Sequence, residues 1–61
     1  MNKGIVYVVQ FCARPPTWED ELTYRDLESA KQRLDHCNER WPDIDHRIVK
    51  RSFKDEEVVN V

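Results

Sequence analysis

Nine consecutive residues near the start of the chain, Gly4 to Cys12 (GIVYVVQFC), limit most strongly what it can fold into. They are β-branched and aromatic, with no breaker after Gly4, which is the pattern of a strand. Alternate residues form two faces: Ile5, Tyr7, Val9 and Phe11 on one, Val6, Val8, Gln10 and Cys12 on the other. Gln10 is the one polar interruption, so both faces call for cover and the strand belongs in the middle of its sheet. A chain of 61 residues has little material for that cover. Domains of this size bury only about 60% of the surface that their unfolded chains expose, and partners or self-association often supply the rest.

Charged residues make up 36% of the chain, which raises the question of disorder. Leu, Ile, Val and Phe together number fifteen of 61. That exceeds the ~20% below which a core cannot assemble, and the net charge of −2 is small. A folded domain is expected. No apolar run approaches the ~18 residues of a membrane span, and Ile5 to Val9 is too short for the apolar core of a secretory signal. Two cysteines without such a signal suit a reducing cytoplasm. Ten basic residues against twelve acidic ones leave no charge excess that would make nucleic acid or an anionic membrane the default partner.

Past the first strand, Arg14-Pro15-Pro16-Thr17 imposes a turn, because two prolines remove two donors and hold the backbone extended. Trp18 to Tyr24 reads as a second strand returning antiparallel to the first. The segment alternates loosely, with Trp18, Asp20, Leu22 and Tyr24 on one side and Glu19, Glu21 and Thr23 on an acidic outer side suited to an edge. Asp26 is an N-cap, and Leu27, Ala30, Leu34, Cys37 and Trp41 recur at helical spacing. Glu28 in the first turn and Arg40 in the last complement the helix dipole, and Pro42 stops the helix. Asp45 to Lys54 reads as a third strand carrying Ile48, Val49 and Phe53. Met1 to Lys3 and roughly 56–61 are expected to fray, although Val58, Val59 and Val61 also suit a short strand or a tail docked across the sheet.

The order ββαβ implies a single α+β domain over residues 1–61. Its sheet has three strands in the order 2-1-3, with the third strand parallel to the second and one helix on one face. One helix covers one face. The expectation is that several apolar side chains on the other face stand in water as a contact surface, Val6 and Val8 or their opposite neighbours.

Catalytic and metal chemistry find little support in the spacing. Cys12, His36, Cys37 and His46 lack zinc-site spacing, and the adjacent His36 and Cys37 stand about 100° apart on a helix. No metal or other cofactor is expected. A Cys12–Cys37 disulfide is conceivable, with both residues at one end of the molecule, but the compartment argues against it. A single glycine rules out a phosphate-cradling loop, and neither a nucleophile in a sharp turn nor a buried carboxylate pair is evident. So short a chain leaves little room for a small-molecule pocket, and an enzyme is not expected. Late in the chain, Arg47 and Arg51 share one strand face while Lys50 and Lys54 share the other. This stripe reads as edge protection, or as a phosphate-contacting strand with Tyr7 and Phe11 as stacking platforms. Trp18 and Trp41 either close one end of the core, or one of them, Trp18 before Trp41, anchors an interface.

YVVQF, the Trp18-Glu19-Asp20 run, a helix opening Asp26-Leu27-Glu28-Ser29-Ala30, the Trp41-Pro42-Asp43 exit and Arg47-Ile48-Val49-Lys50-Arg51 occur together over nearly the whole chain. In this combination the chain resembles small uncharacterised accessory proteins of lambda-like phages, prophages and bacteria. The resemblance implies a short accessory reading frame expressed in the bacterial cytoplasm and acting on a host factor. It brings no catalytic or ligand motif. The resulting expectation is a non-enzymatic interaction module that binds a host protein or itself, with Val6, Val8, Trp18, Arg47 and Arg51 as contact residues. A small nucleic-acid-associated regulator using the basic third strand is the alternative.

Overall fold

The computed structural model describes residues 4–60. Four strands and one helix follow in the order β1 (Val6–Arg14), β2 (Thr17–Tyr24), α1 (Leu27–Arg40), β3 (Asp45–Arg51) and β4 (Glu56–Val59). The sheet order is β2-β1-β3-β4, with every neighbouring pair antiparallel. β1 is therefore central, as its two apolar faces demanded. Among the described residues, no helix is long and apolar enough to cross a membrane.

The expected sheet of three strands gains a fourth. The third strand does not continue to Lys54 but ends at Arg51, and the segment expected to fray holds β4. The cause is local. The Ser52 hydroxyl accepts hydrogen bonds from the Lys54 and Asp55 amides, and the Ser52 amide donates to the Asp55 carbonyl at 2.8 Å. A side chain that captures backbone donors in this way competes with strand pairing and turns the chain. The returning strand then sets Val58 opposite Val49 and Val59 opposite Ile48. Phe53, at the tip of this turn, is 87% exposed and takes no part in the core.

The helix starts where its cap requires. Asp26 Oδ2 accepts from the Ser29 amide at 2.9 Å, and its other oxygen accepts from the Ser29 hydroxyl at 3.0 Å. These bonds hold the Asp26 carboxyl below its ordinary value. Ala30, Leu34 and Cys37 are buried against Val9 and Ile48, with Tyr7, Tyr24, Leu27 and Val59 packed around them. Trp41 departs from the expected stripe: it caps the helix and is 41% exposed. The helix thus covers the side of the sheet that carries Tyr7, Val9 and Ile48.

Alternation along β2 fails at one point. Val9 pairs with Leu22 but Gln10 pairs with Asp20, so Glu21 is the extra residue of a β-bulge. Trp18 and Asp20 consequently lie on the helix-free side, opposite to Leu22 and Tyr24. Glu21 is turned out of the acidic outer row toward the helix, where it meets Arg33 and Cys37.

Candidate functional site

Two arrangements stand out, one on each side of the sheet. On the helix-free side, register places Val6 opposite Arg51, Val8 opposite Val49, Gln10 opposite Arg47 and Cys12 opposite Asp45. The expected exposed patch does not include the central valines: Val8 is 0% exposed and Val49 1%, while Val58, opposite Val49 on the same face, is 51% exposed. Long polar side chains form a canopy around Val8 and Val49 instead. Arg47 Nε donates to Gln10 Oε1 at 2.8 Å, and Gln10 Nε2 donates to Asp20 Oδ1 at 2.9 Å. Arg51 Nη1 donates to Asp20 Oδ2 at 2.9 Å while its Nε donates to Glu56 Oε1 at 2.7 Å. Arg47 and Arg51 flank Val49 on the same strand face, with their head groups satisfied by these neighbours and their aliphatic stems available as apolar cover. Arg47 also stacks over Trp18, with its guanidinium carbon 4.1 Å from the ring centroid. The arginine and glutamine hydrogen bonds, with Arg51's charge, hold the Asp20 carboxyl below its ordinary value, and Asp20 and then Glu56 push the Arg51 guanidinium up.

Of the five contact residues expected from the sequence, Trp18, Arg47 and Arg51 belong to this canopy, Val6 lies half-buried beside Arg51, and Val8 lies wholly beneath it. Sequence reasoning missed Gln10 and Asp20, the two residues that join the arginines. The signal was present: Gln10 interrupts an apolar face, and alternation put Asp20 on the same side as Leu22 and Tyr24. Both anomalies resolve once the bulge places Asp20 across from Gln10.

The helix side holds the second arrangement. Both Glu21 oxygens accept from the Cys37 thiol, at 3.3 and 3.4 Å, and Arg33 donates to Glu21 Oε2 through Nε at 2.9 Å and through Nη2. Burial pushes the Glu21 carboxyl up, but the hydrogen bonds of Arg33 and Cys37, with the charges of Arg33 and His46, outweigh it and hold the carboxyl down. Burial, and then Glu21, push the Cys37 thiol up. His46 lies alongside, its Nδ1 buried without a hydrogen-bond partner. Glu21 and His46 line a cleft of about 200 Å³ together with Phe11, Trp41 and Ile44.

This placement revises the grouping of Cys12, His36, Cys37 and His46. His36 packs edge-on against Trp41 with ring centroids 6.3 Å apart and is not among the clustered donor residues. Cys12 and Cys37 are free, and the sheet stands between them, since Cys12 faces the helix-free side. The conceivable disulfide is therefore ruled out by the fold. Only Cys37 and His46 come together, with a carboxylate from the bulge as the third member. Compared with known proteins, the chain matches no family model, no curated relative and no solved structure.

Proposed function

We propose that this chain is a non-enzymatic protein-interaction module whose contact surface is the helix-free face of the sheet, centred on Trp18 and Arg47. The observation that carries this reading is the stack of Arg47 over Trp18, tied through Gln10 to Asp20 and Arg51. Tryptophan and arginine are the residue types most enriched at binding hot spots. Here both are held in place before any partner arrives. Side chains already ordered lose little rotamer entropy on association, a cost otherwise of about 0.5–1.5 kcal/mol each. The partner is a host protein or a second copy, in keeping with the resemblance to phage accessory proteins.

Two features weigh against the nucleic-acid reading. Arg51 is already met by two carboxylates, Asp20 and Glu56, so a phosphate would have to displace an existing pair. Tyr7 and Phe11, the stacking platforms that reading required, alternate onto the helix side of β1, opposite to Arg47 and Arg51.

The test is capture from bacterial lysate, with and without nuclease, alongside light scattering at high protein concentration. The wild type should retain a protein partner or form a dimer, nuclease should change nothing, and Trp18→Ala should abolish the association while leaving the fold intact. A monomer that captures nothing, or capture that nuclease removes, contradicts the reading.

A further inference from the structure

The cluster of Glu21, Cys37 and His46 lies on the other side of the sheet from the proposed contact face, and although Cys37 packs in the core, core packing does not call for a carboxylate and an imidazole beside it. One donor atom from each residue lies within 4.8 Å of the others. The three come from three elements: the β2 bulge, the last turns of α1 and the start of β3. We propose that Glu21, Cys37 and His46 form a binding site for a single zinc-class divalent cation, with an exchangeable fourth position facing the cleft of Phe11, Trp41 and Ile44.

The donor set argues for this class of ion. One sulfur, one imidazole nitrogen and one carboxylate oxygen suit a four-coordinate borderline-soft cation, whereas calcium and magnesium take oxygen ligands. With bonds of about 2.0–2.3 Å, tetrahedral donors stand roughly 3.5 Å apart. The Cys37 sulfur already lies 3.3 Å from Glu21 Oε1, close to that separation, and His46 supplies the third donor. Its Nδ1 is the unsatisfied buried atom of the cluster, and a metal bond would satisfy it.

Arg33 already holds the carboxylate in position. Arg33 binds Glu21 through Oε2 alone, so Oε1 keeps a lone pair for the cation while the guanidinium fixes the carboxylate. On binding, the Cys37 S–H bond breaks, a sulfur–metal bond forms and the proton leaves to bulk water, with no change of oxidation state. Thiolate and carboxylate together neutralise the two positive charges of the ion. Three protein ligands and one open position is the arrangement of an exchangeable zinc site, not of a closed structural one. Cation binding is therefore expected to add to a fold that already stands without it. This departs from the expectation drawn from spacing, which lacked Glu21 and grouped Cys37 with His36.

The experiment titrates the full-length, metal-free protein with cobalt(II) and then zinc(II), following absorption and melting temperature. Cobalt should bind at one equivalent, with a thiolate-to-metal charge-transfer band and the intense visible bands of tetrahedral geometry. Zinc should displace it, and chelator should reverse both. Cys37→Ser should remove the charge-transfer band, and His46→Ala, on a less buried residue, should weaken binding at least ~10-fold. Cys12→Ser should leave the spectrum unchanged. Circular dichroism reports whether each variant folds; if Cys37→Ser does not, His46→Ala decides the matter. No band at one equivalent of cobalt, a band lost in Cys12→Ser but kept in Cys37→Ser, or undiminished binding by folded His46→Ala overturns the site.

Discussion

Replacing Gln10 by Ala tests the canopy at the point where its two halves join. Gln10 is 4% exposed and makes two hydrogen bonds to charged partners, donating to Asp20 at 2.9 Å and accepting from Arg47 at 2.8 Å. A hydrogen bond to a charged group contributes about 1.5–3 kcal/mol when the partner is left buried. Here Asp20 is about half exposed and keeps Arg51, while Arg47 keeps Trp18, so both partners rehydrate and the cost per bond falls well below that range. Loss of the side chain over the sheet adds a packing contribution. The total comes to about 1–3 kcal/mol. A chain of this length has roughly 3–9 kcal/mol in all. At about 4–8 °C per kcal/mol, the melting temperature should fall by roughly 5–20 °C. The assay is thermal and urea denaturation followed by circular dichroism, with an unchanged urea slope as evidence that the variant still unfolds as one unit. Gln10→Met, which keeps the volume and removes both bonds, should recover part of the loss and so separate packing from hydrogen bonding. A Gln10→Ala protein that melts within about 2 °C of the parent would refute the bridging role assigned to this amide.

Leu34→Ala should cost about 2–5 kcal/mol, because Leu34 packs on Val9 and Ile48, and it should unfold the chain near physiological temperature; a variant that melts like the parent would place the helix stripe elsewhere. Phe53→Ser, at the exposed tip of the β3–β4 turn, should change stability by no more than about 0.5 kcal/mol, and a larger loss would mean that Phe53 packs. The acid limb offers a third check. A carboxyl depressed on folding contributes stability that is present above its ordinary value, 3.8 for Asp20, and is lost as pH falls through its folded value. The parent should therefore lose stability below pH 3.8, and Asp20→Asn should start lower at neutral pH and fall less steeply; parallel curves for the two proteins would show that Asp20 is not held by Arg51.

Features encoded over short range were legible in the sequence. Asp26 supplies the cap three residues before Ser29, the apolar stripe Leu27, Ala30, Leu34 and Cys37 recurs at helical spacing, and Pro42 closes the segment, so the helix ends fell where expected. The central place of β1 followed from its two apolar faces. What stayed hidden depends on register across strands. Nothing local in Glu19-Asp20-Glu21-Leu22 says that Glu21 is the bulged residue, yet that one slip sends Asp20 to Arg51 and Glu21 to Cys37. The fourth strand stood only as one option for the tail, because Ser52 reads as an ordinary strand residue until its hydroxyl is seen to accept two amides. The helix-free face was taken for an apolar patch because counting apolar residues overlooks arginine stems. Arg47 and Arg51 flank Val49 on that face, and arginine methylenes give apolar cover that a charge tally counts as purely polar.

The two tryptophans lie on opposite sides of the molecule, Trp18 in the canopy and Trp41 beside the cleft, so their indole N–H resonances separate the two surfaces. The most direct test of the interaction reading is therefore a ¹⁵N-resolved NMR titration of the labelled protein with its captured partner, or with increasing amounts of itself. The expected result is that the Trp18 indole and the Nε–H signals of Arg47 and Arg51 shift or broaden together while the Trp41 indole holds still. Movement of Trp41 alone, or of backbone signals along β4 with Trp18 and Arg47 unperturbed, would contradict the placement of the contact surface on the helix-free face.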